Sequence, residues 1–196
     1  MRRRYVFIDE GIVSSGGGGG GVLQQTVQLN LGDGTWDTPT YSDWFRYCYN
    51  EGSPTTNVTN TTGANTGWSI TRSLTPNGES EGPTGSTTTG YPVGVTQFGN
   101  DYSSLATYTF SGLNNSYTYS FDFWGSTIGR TYESVIGHTT WTIGSTNVSI
   151  THRNYYGNPV NISSVSPSSG NIIVTVNKDS NASNWYWCAC VIKEYN

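Results

Sequence analysis

Tyr108-Thr109-Phe110-Ser111, a break at Gly112-Leu113-Asn114-Asn115, and then Tyr117-Thr118-Tyr119-Ser120-Phe121-Asp122-Phe123 decide the fold class of this chain. Rings alternate with small polar residues through both halves. A period of two sends successive side chains to opposite faces, so each half reads as a half-buried β-strand with its rings on one side. The turn residues between them predict a hairpin.

The same period recurs on either side. Over residues 22–31, Val27, Leu29 and Leu31 share one face and Gln28 and Asn30 the other. Trp68-Ser69-Ile70-Thr71 begins a further strand. Thr140-Trp141-Thr142-Ile143 and Val148-Ser149-Ile150-Thr151 predict a second hairpin about Gly144-Ser145. Ile172-Ile173-Val174-Thr175-Val176 follows the turn Ser166-Pro167-Ser168-Ser169-Gly170. Residues 185–195 read as one long central strand, on which Cys188 and Cys190, two apart, share a face. No segment carries a convincing helical pattern. Strands separated by turn signals predict an all-β fold, a two-sheet antiparallel β-sandwich or a barrel.

Six consecutive glycines, Gly16 to Gly21, divide the chain. A glycine run has no side chains to pack and high backbone entropy, so it reads as a tether. Residues 1–15 then form an N-terminal anchor peptide, 16–21 the poly-Gly tether and 22–196 the sandwich domain. In the peptide, Arg2, Arg3 and Arg4 supply charge-assisted contacts. Tyr5, Val6, Phe7 and Ile8 supply an apolar strand that would fill a partner's groove or extend its sheet.

Only 11% of residues are charged and 34% hydrophobic, yet 14% are aromatic, so the core must be built largely from rings. The net charge is −4; Arg2, Arg3 and Arg4 contribute +3, which leaves −7 for the remainder. A body of that sign has no basic stripe for phosphates, so no nucleic-acid partner is expected. No apolar run approaches the length of a membrane span. The basic start lacks the apolar region of a signal peptide, and three cysteines do not suggest a disulfide framework. A particle assembled in a host cytoplasm and working outside it reconciles these signs with a surface rich in Asn, Thr and Tyr. The expected localisation is therefore the virion.

Neutral glycans are gripped by aromatic platforms with hydrogen-bonding side chains around them. Two segments offer that mixture. Residues 36–49 contribute Trp36, Trp44 and Tyr47, and residues 152–158 contribute Arg153, Asn154, Tyr155 and Tyr156. Arg130 and Tyr132 would join them at one end of the sandwich. The bland alternative for each ring is core packing. Tyr155 and Tyr156 stand out because adjacent strand positions cannot both face inward. No Gly-x-Ser-x-Gly elbow is present, and Glu79, Glu81, Glu133 and Asp122 read as solvated carboxylates. Asp33 and Asp37 read as turn formers rather than calcium ligands. The expectation is a non-enzyme with no cofactor and no metal.

From Leu29 onward the order of segments resembles the galactose-binding-like jelly-roll family of carbohydrate-binding modules. The resemblance rests on the aromatic segment around Trp44, on Thr62-Gly63-Ala64-Asn65-Thr66-Gly67-Trp68-Ser69-Ile70, and on Tyr108-Thr109-Phe110-Ser111-Gly112-Leu113. It continues through Tyr117, Phe121-Asp122-Phe123-Trp124-Gly125-Ser126, the stretch from Val165 to Val174, and Val191-Ile192. Asp43-Trp44-Phe45-Arg46 departs from the family, where asparagines typically follow the early Trp. The tip and tether look like those of a bacteriophage fibre or decoration protein, such as a head fibre of the crAss-like phages. That resemblance implies a structural protein of the particle, bound to capsid or tail proteins through residues 1–15. It also implies a homo-oligomer of trimeric kind, with host surface polysaccharide as a further partner. The alternative is a secreted bacterial accessory protein that binds or degrades polysaccharide.

Overall fold

Alternation around Phe110 is realised as expected, but its two halves do not pair with each other. A computed structural model describes residues 21–31, 41–47, 53–76, 80–81, 90–92, 95, 98–127, 137–151, 155 and 157–196. Among these, thirteen strands form in chain order: β1 (Leu23–Asn30), β2 (Phe45–Arg46), β3 (Ser69–Arg72), β4 (Ser80–Glu81), β5 (Phe98–Tyr102), β6 (Ala106–Ser111), β7 (Thr118–Trp124), β8 (His138–Ile143), β9 (Thr146–Thr151), β10 (Val160–Val165), β11 (Asn171–Lys178), β12 (Trp185–Trp187) and β13 (Ala189–Tyr195). The first sheet has the order β10-β7-β13-β1-β2 and the second β3-β6-β11-β8-β9; β12-β5-β4 form a small third sheet. The described pairings are antiparallel, apart from the short parallel contact of β1 with β2.

The predicted β6–β7 hairpin is corrected by this topology: β6 lies in the second sheet and β7 in the first. Their ring-bearing faces meet across the interior, with Phe110 edge-on to Phe121 at 5.6 Å. Residues 112–117 therefore arch between sheets, plugged by the buried Leu113, whose N–H donates to the Gly170 carbonyl at 3.0 Å. Alternation marks which face is buried. It does not say whether the neighbouring strand lies alongside or opposite. The β8–β9 hairpin forms as expected, with Gly144 at φ 60° supplying the left-handed corner its two-residue turn requires.

One core cluster draws on the inner faces of both five-stranded sheets, which is the arrangement of a β-sandwich. Rings dominate it. Phe123 of β7 lies parallel to Trp141 of β8 (9° between planes, centroids 5.4 Å apart), and Trp187 meets Phe123, Trp141 and Tyr108 edge-on. The chain enters the second sheet from β1 and returns to the first at β7. It then crosses to β8 and β9, back to β10, over to β11 and back to β13. Strand β13 is central, as expected for the last segment.

Residues 185–195 do not form one strand, however. Trp187 points into the main core, Cys188 and Ala189 both join a second cluster outside the first sheet, and Cys190 returns to the main core. The break between β12 and β13 at Cys188 thus separates two cysteines that strict alternation would place on one face. The third sheet crosses over here, and Gly125 passes so close that a Cβ on it would collide with the Tyr186 carbonyl oxygen. Gly125→Ala is expected to lose about 1–3 kcal/mol of stability through forced backbone displacement. Denaturant unfolding measures this, and a variant within about 0.5 kcal/mol of the parent would show that the backbone yields freely there.

Candidate functional site

The outer face of the first sheet carries both an aromatic roof and a polar patch. Along β7, Phe121 and Phe123 point inward, so Asp122 and Trp124 alternate outward; along β13, Ala189 and Val191 do the same. Trp44, Val95, Trp124 and Cys188 close over these positions, with Tyr41, Tyr91 and Tyr155 packed at the margin. Cross-strand register then sets Gln28, Val191, Asp122 and Asn161 in one row over four strands.

Within that row the Asp122 carboxylate accepts from Asn161 Nδ2 at 2.6 Å and from Lys193 Nζ at 3.1 Å, and Asn161 also donates to Ser120 Oγ at 2.9 Å. The side chains of Asp122 and Lys193 remain 21% and 34% exposed, enough to meet a ligand. Burial pushes the Tyr91 phenol up from its usual range and the Asp122 charge pushes it further, so the hydroxyl stays protonated at neutral pH. The ensemble offers neutral and charged hydrogen-bonding groups beside ring surface. Such a set of groups can donate and accept hydrogen bonds next to a ring face.

Placement of the sequence-derived candidates is uneven. Trp36, Arg130, Tyr132, Arg153, Asn154 and Tyr156 lie outside the described residues, as do Arg2, Arg3, Arg4, Tyr5, Val6, Phe7 and Ile8. Tyr47 is 0% exposed; Tyr108 meets it edge-on at 6.2 Å and the Arg72 guanidinium sits 5.4 Å from its ring centre. A ring enclosed on its faces cannot serve as a sugar platform, so Tyr47 is a core residue. Trp44 is 7% exposed and edge-on to Tyr91 at 5.1 Å, which makes it part of the roof rather than an open platform.

Tyr155 is half-buried and belongs to the connection after β9, not to a strand. The alternation argument for Tyr155 and Tyr156 therefore does not apply. The Tyr155 N–H donates to Ser126 Oγ at 2.9 Å and its hydroxyl to the Asn158 carbonyl at 2.7 Å, while its ring tilts against Trp124. Sequence reasoning missed Asp122, Asn161, Lys193 and Tyr91 as a group. The outward positions of Asp122 and Lys193 were readable from alternation, but the register that joins them was not.

No family model, curated protein or solved structure matches this chain. Its own geometry therefore carries the reading. Among the described residues no group of three His, Cys, Asp or Glu side chains is placed to hold a metal ion. Among the described residues His138 Nδ1 lies 2.8 Å from Asp179 Oδ2. Asp179 is also committed locally, its Oδ1 accepting from the Asn181 and Ala182 N–H groups at 3.0 Å each, so it fastens the turn after β11.

Burial alone would raise the Asp179 carboxyl, but hydrogen bonds from His138, Asn181 and Ala182 outweigh it and hold the group below its usual value. A depressed folded-state pKa gives stability that is present above the unfolded value of about 4 and is lost as pH falls through the folded value. Asp179→Asn is thus expected to lower stability at neutral pH by more than it does in acid, where Asp179 takes up its proton. Denaturant midpoints at neutral and acid pH test this; an equal deficit at both would show that the charge contributes nothing.

Proposed function

We propose that this chain is a non-enzymatic structural protein of a bacteriophage particle, a fibre or decoration protein, held by residues 1–15 and displaying a glycan-binding jelly roll. The observation that carries the reading is how the sandwich closes. Strand β1 pairs along its length with β13, and the two ends of the body bond to each other. Val22 N–H donates to Asn196 Oδ1 at 3.3 Å and Asn196 N–H to the Val22 carbonyl at 3.1 Å. The described ladder begins with β1, after the glycines, which supports assigning the basic and apolar sequence before them to a partner.

The strand path supports the jelly-roll form. Taken as β1-β13-β7-β10 facing β6-β11-β8-β9, with alternate crossings between sheets, it matches an eight-stranded double Greek key to which β2 and β3 add edges. The order of aromatic segments supports a galactose-binding-like member of that class. The polar patch of Asp122, Asn161 and Lys193 beside Tyr91 supports recognition of hydroxyl-rich ligands. Multiple copies on one particle would convert weak single sites into avidity.

Deleting residues 1–15 is expected to leave the melting temperature unchanged, because the described ladder starts beyond them, and to abolish incorporation into the particle. Calorimetry and particle purification read the two outcomes. A truncated chain that still enters the particle at parental levels would refute the anchor.

A further inference from the structure

A second surface, on the opposite sheet, has a chemistry of its own. Outward positions on β3, β6, β11, β8 and β9 hold no Lys, Arg, Asp or Glu. Thr107, Thr175, Thr142 and Asn147 form one continuous cross-strand row. Open sheet faces ordinarily carry charge for solubility and to deter edge pairing. Here the five strands present mainly hydroxyls and amides, with His138 and Ile173 the other outward residues.

This face runs into a cleft of about 700 Å³ where the two sheets part. Before Thr175, over Asn171 to Val174, strand β11 has no paired β8 residue, because β8 turns at Gly144-Ser145. Opposite, β10 shifts register between Ile162 and Val165, and Ser164 there takes φ 58° without being glycine. Bulges and left-handed non-glycine residues concentrate at functional positions. The floor is aliphatic (Ile143, Ile162, Ile172), the rim is hydroxylic (Thr146, Ser163, Ser164), and Ile173 stands at the lip 53% exposed. The cleft volume falls in the range of small-molecule sites.

We propose that this cleft binds the end of a neutral glycan through a methyl-bearing sugar, of the 6-deoxy or N-acetyl class. The hydroxyl rim would bond the ring oxygens and the isoleucine floor would receive the methyl group. The Thr and Asn rows would form the shelf along which the rest of the chain lies. A neutral ligand fits because the described residues lining the cleft include no charged side chain to pair with an anion or cation. The site deepens the proposed glycan reading by naming a ligand class, and it is independent of the particle anchor.

Saturation-transfer NMR on the full chain tests this with four probes: N-acetylglucosamine trisaccharide, a fucose-terminated trisaccharide, maltotriose and mannotriose. The first two should receive saturation most strongly at their methyl protons, the last two weakly. Ile173→Asp and Thr146→Trp, both at exposed positions that tolerate change, should each weaken binding by roughly tenfold, the worth of one apolar contact or a blocked entrance. Leu105→Asp, at an exposed position outside the cleft, should bind as the parent does. Binding abolished by Asn161→Ala but untouched by the two cleft variants would overturn this site while keeping the glycan reading on the first sheet. Equal saturation of all four probes would overturn the methyl preference. No saturation of any probe would overturn the cleft as a sugar site, leaving the anchor to be judged by particle incorporation.

Discussion

Phe123 and Trp141 stack almost flat across the interior, joining a central strand of the first sheet to one in the second. Around that pair Phe121, Tyr108 and Trp187 fit edge to face or in offset stacks. Each ring buries on the order of 150–250 Å², so a chain poor in Leu and Met still encloses a core. Aromatic pairs also prefer particular separations and tilts, which holds the two sheets in a fixed relation where aliphatic side chains would let them slide. The arch between β6 and β7 follows from this constraint: rings on both strands find their partners across the interior, not along one sheet.

Rings placed inside are out of reach of any ligand. Tyr47 and Trp44 are consumed by packing, and Trp124 is wholly buried beneath the loops that cover β7 and β13. The described outer faces of the two sheets instead present polar groups that the pleat turns outward. On the first sheet these are Asp122, Asn161 and Lys193; on the second they are hydroxyls and amides. The same alternation that hides Phe121 and Phe123 exposes Asp122 between them, so core and surface are written in one stretch of sequence.

Local alternation was legible: β1, β6, β7, β8, β9 and β11 all lie where period and turn residues indicate, and the Gly144-Ser145 hairpin forms as read. Sheet assignment was not, because Phe110 and Phe121 would be equally buried side by side or face to face. The fate of Cys188 was hidden for a related reason. A single extra outward residue between Trp187 and Cys190 shifts the phase of everything before it, and no local signal distinguishes that break from a continuous strand. For the site, the type of residue was readable and the grouping was not: Asp122, Asn161 and Lys193 meet only through register across three strands.

The account stands on aromatic coupling between the sheets, and a double-mutant cycle on Phe123→Leu and Trp141→Leu measures it most directly. With unfolding free energies for the parent, both single variants and the double variant, the double variant is expected to lose about 0.5–1.5 kcal/mol less than the sum of the two single losses. Strictly additive losses would mean that the two rings do not touch and that the sheets are held by something else.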